Sequence, residues 1–442
     1  MSILGPPVAI AMLSIGCQPA VAESEGDPSA GADAIDAATA ADVPVNHDGL
    51  AAPSDASHDG ALTTDAAVKW SPRPGPKWVK LGDVPLDKNG RSLPVSVTTT
   101  SSDRYLAVRV RPAVAAPGAP WCFGIDSVVL PDGTAWLDKL ADGIGASSHP
   151  FGSQRALPQH GYGVFVLPND GVSELPNGKV RFQVVLRDCR FDLPTKRVAG
   201  ANRRGRYASL PKSVVVEAAR EPALNNDAKL RLVIRVAVAD TSGHPAQLGA
   251  DSSWQAAMTR ARALFSTAKI DLVVGRIASF KAPKSVNYGP GQRTQLDAVY
   301  NDAMSALTDG EADRAARFVP AILVRCLLRN DPLTAKPISF AGQTARIPGG
   351  APFGPSASGV FIAREHCSGA ASPLVGEKLG AMLAHELGHH LGLHHTDDTL
   401  GSHRASKGYA DVMNITAGPS KAKGFTSKQR VALRRHFAVY AP

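Results

Sequence analysis

The stretch Ala384-His385-Glu386-Leu387-Gly388-His389-His390-Leu391-Gly392-Leu393-His394-His395 decides how this chain is read. His385 and His389 stand four apart, so a helix puts both imidazoles on one face. Two neutral imidazoles at that spacing can hold one zinc ion. Glu386 adjoins the first and can reach a water in an open coordination position, a duty that metal binding alone does not require. Gly392 permits the left-handed turn that ends a helix, and the chain beyond it can return His395 as a third ligand. A histidine-rich helix with solvated rings would need neither the glycine nor the last histidine at these offsets. His390 and His394 fall at the wrong offsets to ligate, and His366 and His403 lack ligand spacing, so all four read as surface or supporting residues.

Around this stretch, from about residue 225, strands alternate with helices. Leu230–Ala239, Asp271–Ile277, Phe318–Arg325 and Val360–Ala363 read as strands. Ser253–Lys269 has helical spacing, with Trp254, Ala257, Met258, Ala261 and Leu264 on one face, and Arg293–Leu307 is a second helix. Ile338–Ile347 is weak and glycine-broken, as an edge strand can be. Leu374–Leu391 is the helix of the motif, with Ser372-Pro373 as its start signal, and Thr426–Phe437 is an amphipathic closing helix. Residues 69–215 differ. Short apolar runs (Val95–Thr99, Tyr105–Val110, Ser127–Leu130, Gly163–Leu167, Val180–Leu186, Ser213–Val216) are separated by turn signals such as Pro131-Asp132-Gly133 and Pro176-Asn177-Gly178, which predicts a β-rich, sandwich-like domain.

The full pattern from His385 to His395 resembles the metzincin family of zinc metallopeptidases, over roughly residues 225–442. The family pairs this pattern with a downstream methionine turn beneath the metal, and Met413, in Asp411-Val412-Met413-Asn414, is the matching residue, eighteen positions after His395. With the β-rich, sandwich-like domain at 69–215 ahead of it, as accessory or prodomain, the chain reads as α+β and multi-domain; for 225–442 the resemblance implies a metzincin-like catalytic domain with a mixed twisted sheet and the active-site helix. It implies one catalytic Zn2+ held by His385, His389 and His395, Glu386 as the catalytic residue, and a protein or peptide substrate added as a strand along Ile338–Ile347. The sequence departs from the family where several members carry a tyrosine two residues after the methionine; Ile415 stands there, and Tyr409 does not match. Thr396 follows the third histidine where some subfamilies have an aspartate, with Asp397 and Asp398 beyond it.

The rest of the chain sets the expected surroundings. With 442 residues, 44% of them hydrophobic, there is enough for more than one domain. No run reaches the ~18 apolar residues of a membrane-spanning helix, which excludes a helical channel or transporter. The net charge of +9 is uneven: residues 1–68 hold no Lys or Arg, and residues 18–68 carry ten acids in an Ala/Asp/Pro/Ser/Gly composition that reads as a disordered acidic linker. The body is basic but has no Lys/Arg-aromatic run, so no nucleic acid partner is expected. Ile3–Ile15 has the length of a secretion h-region, and Gly16-Cys17 resembles a bacterial lipoprotein cleavage site. Cys17 would then carry lipid, and the chain is expected to be exported, either membrane-anchored or secreted, and monomeric. The other cysteines, Cys122, Cys189, Cys326 and Cys367, form an even set that suits an oxidising compartment. Three pairings are open, and pairing within domains gives Cys122–Cys189 and Cys326–Cys367; in a family-like sheet the strands before Cys326 and Cys367 are neighbours running the same way. Cys122 or Cys189 could instead lock the metal as a prodomain thiolate, and Arg203–Arg206 could be a cleavage site. Two other functions stay open: a cell-surface binding or adhesion protein with a non-catalytic zinc, and a zinc hydrolase acting on non-peptide amides.

Overall fold

The computed structural model describes residues 73–113, 121–137, 159–188, 211–244, 247–288, 293–330, 337–350, 357–367, 373–395, 411–414 and 421–442. The chain divides into two compact units, Met1–Ala20 with Pro72–Pro442, and Val21–Ser71. The second unit lies outside the described residues, as do Cys17, Cys189, the Arg203–Arg206 run, Thr396, Asp397, Asp398, His403, Tyr409 and Ile415.

The first nine strands are β1 (Val79–Pro85), β2 (Val95–Thr99), β3 (Asp103–Pro112), β4 (Trp121–Val129), β5 (Ala135–Leu137), β6 (Gln159–His160), β7 (Gly163–Leu167), β8 (Gly178–Asp188) and β9 (Ser213–Pro222). They form two antiparallel sheets, ordered β1-β9-β3-β7 and β2-β8-β4-β5, with β6 paired to β4. Alternate residues of both sheets (Leu106, Val108, Phe123, Phe165, Phe182, Val184, Val214) meet in one core, the period-2 burial that a two-sheet stack requires. The Pro131-Asp132-Gly133 turn closes with the Leu130 amide donating to the Thr134 carbonyl at 2.8 Å, and Gly133 takes φ +88°.

The later elements are β10 (Leu230–Ala239), α1 (Ser252–Ser266), β11 (Ile270–Phe280), β12 (Ser285–Asn287), α2 (Arg293–Leu307), α3 (Glu311–Arg314), β13 (Val319–Val324), β14 (Cys326–Asn330), β15 (Pro337–Phe340), β16 (Gly342–Thr344), β17 (Val360–Ala363), α4 (Gly376–His390), α5 (Ser427–Arg435) and β18 (Val439–Tyr440). The main sheet runs β11-β10-β13-β17-β16. Its first four strands are parallel, and β16 joins antiparallel at the edge. β10 and β13 are buried almost throughout, as parallel strands covered on both faces must be. Leu232, Ile234, Val236 and Val238 of β10 pack with α1 and α4 in one core. No helix among the described residues is long and apolar enough to cross a membrane.

Three sequence expectations change here. Ile338–Ile347 is not one strand: β15 pairs with β14 in a small separate sheet, and β16 alone forms the main edge. α4 starts at Gly376 rather than after Ser372-Pro373; Val375 is its N-cap, with no side-chain cap, and the Gly376 amide donates to Ser253 Oγ at 2.8 Å instead. The closing helix stops at Arg435; its start is fixed by a capping box between Thr426 and Gln429.

The two halves share a buried seam. Phe437, next to β18, packs edge-on against Trp78 and Tyr105, with ring centroids 6.0 and 6.5 Å apart, among Tyr162, Val164 and Val166. Arg104 pairs with Glu221 at 2.8 Å and donates to the Val439 carbonyl at 2.9 Å. Arg317 also binds Glu221, and donates to the Pro74 carbonyl at 2.7 Å. Cys326 and Cys367 are bridged, with Cα atoms 5.2 Å apart. The strands before them, β13 and β17, are parallel neighbours, which brings both chain ends together. Cys122 is also disulfide-bonded, so it is not a thiolate available to a metal.

Buried imidazoles make the fold acid-sensitive. Burial pushes His390 down to about 3, and burial next to Arg364 pushes His244 down to about 4. Burial, with His390 nearby, holds His436 well below the imidazole range. An unfolded chain takes up these protons as pH falls through about 6.5, whereas the folded chain does not, so acid favours unfolding. The melting temperature is expected to hold above pH 7 and to fall steadily between pH 6.5 and 4; equal melting temperatures at pH 7.5 and 4.5 would contradict this.

Candidate metal centre

Leu379, Leu383 and Leu387 fix one apolar face of α4, and nearly the whole helix is buried. It crosses α1 closely: a Cβ at Gly380 would stand 2.1 Å from the Ala257 carbonyl oxygen. Helix termination sets the third ligand. Gly392 has φ +100°, its amide donates to the His389 carbonyl, and the Leu393 amide donates to the Gly388 carbonyl, both at 2.9 Å. This pair of bonds is a Schellman motif, and it turns the chain back so that His395 returns toward the helix.

His385, His389 and His395 converge, all buried, with one ligand atom from each within 4.8 Å of the others. Nε2 of His395 lies 3.3 Å from Nε2 of His385 and 2.9 Å from Nε2 of His389. Nδ1 of His385 donates to the Val412 carbonyl at 2.5 Å, and Nδ1 of His389 to the Leu393 carbonyl at 2.7 Å. A ring that donates through Nδ1 presents a lone pair at Nε2, and carbonyl partners of this kind orient metal-bound imidazoles. Burial, then the neighbouring His395 and His385, hold His389 well below the usual imidazole range, so this ring stays neutral near pH 7. Tetrahedral ligation with bonds of 2.0–2.1 Å would space the nitrogens by about 3.3–3.4 Å, at or just above the observed separations. The donor set therefore fits a single metal ion such as zinc.

Glu386 is held by the edge strand. Thr344 Oγ1 lies 2.7 Å from Glu386 Oε2 and 2.7 Å from the Glu386 carbonyl oxygen. Gly342 is on the same face of β16, two residues away, and a Cβ there would come within 2.6–2.9 Å of the Glu386 carboxyl group. Below the helix, Met413 is fully buried, and a Cβ at Gly388 would stand 2.6 Å from its sulfur. Its loop is tied by Asp411 Oδ1, which accepts from the Met413 amide at 2.8 Å and from Gln429 Nε2 at 2.9 Å.

Of the residues singled out from sequence, the structure brings His385, His389, His395, Glu386 and Met413 to one place and bridges Cys326 with Cys367. Sequence reading missed Gly342, Thr344 and Gln429. Small and hydroxyl residues alternating in a strand was the signal for the first two; the capping-box glutamine was the signal for the third.

No protein-family model matches this chain, and no curated protein matches it. Among solved structures, metalloproteinase-II from Bacteroides fragilis aligns over 48% of this chain at 12% identity and a TM-score of 0.30. The alignment spans 59% of that protein's own chain, short of two thirds. Xylanase10C from Cellvibrio japonicus, in complex with xylopentaose, aligns over 57% of this chain and 45% of its own, at 9% identity and a TM-score of 0.16. Likenesses at this level carry no argument, and the functional reading rests on the site itself.

Proposed function

We propose that this chain is a zinc-dependent endopeptidase of the metzincin type. The observation that carries the proposal is the convergence of three Nε2 atoms beside a buried glutamate. When bound, zinc supplies a Lewis acid that polarises the scissile carbonyl and lowers the pKa of a water toward neutrality. The chain's own residues do the rest. His385 and His389, oriented by the Val412 and Leu393 carbonyls, would hold the ion with His395. Glu386 takes a proton from the attacking water and passes it to the leaving amine. Met413 backs the helix as the methionine turn does in that family.

Export to an oxidising compartment, lipid attachment at Cys17 and a monomeric state belong to the same proposal; the Cys326–Cys367 bridge supports the first. The test is metal-dependent cleavage. Purified protein is expected to hold one zinc per chain, to cleave casein, to lose that activity to a chelator, and to regain it with one equivalent of zinc. Protein that binds zinc in this ratio yet cleaves neither casein nor a peptide library would favour the adhesion reading.

A further inference from the structure

We propose that Thr344 is a positioning residue for Glu386: its hydroxyl, presented by the edge strand, holds the glutamate side chain in the orientation that proton transfer requires. This rests on the peptidase reading above.

Glutamate has three rotatable side-chain bonds, and freezing them costs rotamer entropy. A proton shuttle must nonetheless lie within hydrogen-bond reach of the proton that it moves. The structure supplies the restraint from β16. Thr344 is 1% exposed and Glu386 is 1% exposed, so their 2.7 Å contact is shielded from competing water. The same hydroxyl oxygen lies 2.7 Å from the Glu386 carbonyl, so one group ties the side chain to its own main chain in a three-centre arrangement. Gly342 completes the slot. With no Cβ, it lets the carboxyl group lie against the strand, where any side chain would collide with it. A hydroxyl bonded to an ionised carboxylate makes a charge-assisted bond, about twice as strong as a neutral one. The Thr344 hydroxyl is engaged by Glu386, and a substrate strand would pair with the β16 main chain, so loss of the hydroxyl should fall on turnover and not on substrate binding.

The experiment compares full-length wild type, Thr344→Val, Thr344→Ser and Glu386→Gln, each measured for kcat and KM on casein, zinc content and the absorption spectrum of the cobalt-substituted protein. Thr344→Val keeps the shape and removes the hydroxyl. It is expected to bind one metal with an unchanged cobalt spectrum, to keep KM within about twofold, and to lose about 10–100-fold in kcat, part of the 10²–10⁴ that positioned acid–base groups contribute. Thr344→Ser restores the hydroxyl and should return kcat to within about threefold of wild type by the same reasoning. If Thr344→Val folds poorly, Thr344→Ala replaces it in the comparison. A kcat near wild type in Thr344→Val, beside an inactive Glu386→Gln, overturns the positioning role and leaves the peptidase reading intact. A fall in kcat accompanied by lost metal or a changed cobalt spectrum also overturns it, because the residue then acts on the metal centre's structure. Wild type that binds metal and cleaves nothing overturns the peptidase reading and this proposal with it.

Discussion

Replacing Glu386 with Gln is expected to lower kcat/KM for a protein substrate by about 10³-fold or more, while metal content and melting temperature stay at wild-type values. The two side chains have the same shape, so the slot between Gly342 and Thr344 accommodates either. The amide oxygen of Gln can still accept from the Thr344 hydroxyl, whose distance to Glu386 Oε2 is 2.7 Å. It cannot take a proton from water near neutral pH or return one to an amine. The three imidazoles lie on other residues and keep their own partners, the carbonyls of Val412 and Leu393 for the first two. The loss should therefore fall on turnover alone. Kinetics on casein, with metal analysis and calorimetry on the same preparations, decide the matter: full activity in this variant would show that Glu386 moves no proton.

The second large effect is expected from a single methyl group on a residue that is not a ligand. Gly380→Ala should destabilise the fold by about 3 kcal/mol or more, the upper range for overpacked cores. The added Cβ would stand 2.1 Å from the Ala257 carbonyl oxygen and 2.8 Å from its carbon. Both are backbone atoms and cannot turn aside as a side chain can. α1 and α4 must separate, and α4 carries two of the three histidines. Calorimetry is expected to show a melting temperature lower by roughly 5 °C or more, with weaker metal retention. Gly376→Ala is the control. That glycine has φ +55° but nothing within 4 Å of an added Cβ, so only the left-handed strain of about 1–2 kcal/mol applies. If both variants melt alike, the close helix crossing does not limit stability.

Much of the fold was readable because its signals are local. Helix Arg293–Leu307 and strands Val95–Thr99, Gly163–Leu167, Leu230–Ala239 and Val360–Ala363 begin and end where periodicity puts them. The three-histidine cluster was readable for the same reason, since one helix and one glycine turn bring its members together. What escaped was long-range. Thr344 meets Glu386 across 42 residues, and Arg104 meets Val439 across 335. No window of sequence contains both partners of such a contact. The broken edge escaped for a different reason. Gly342 looks like a flaw in a strand until the carboxyl group lying against it is seen.

The seam around Phe437 has a consequence for how such a chain can be inherited. Modules that share no buried contacts can be cut and recombined, because neither covers the other. Here an aromatic ring from the last few residues is enclosed by side chains from the first half, and one glutamate is shared by arginines on both sides. Exchanging either half for a relative would orphan partners in the other. The two are therefore expected to change together, residue against residue, rather than to be shuffled as independent parts.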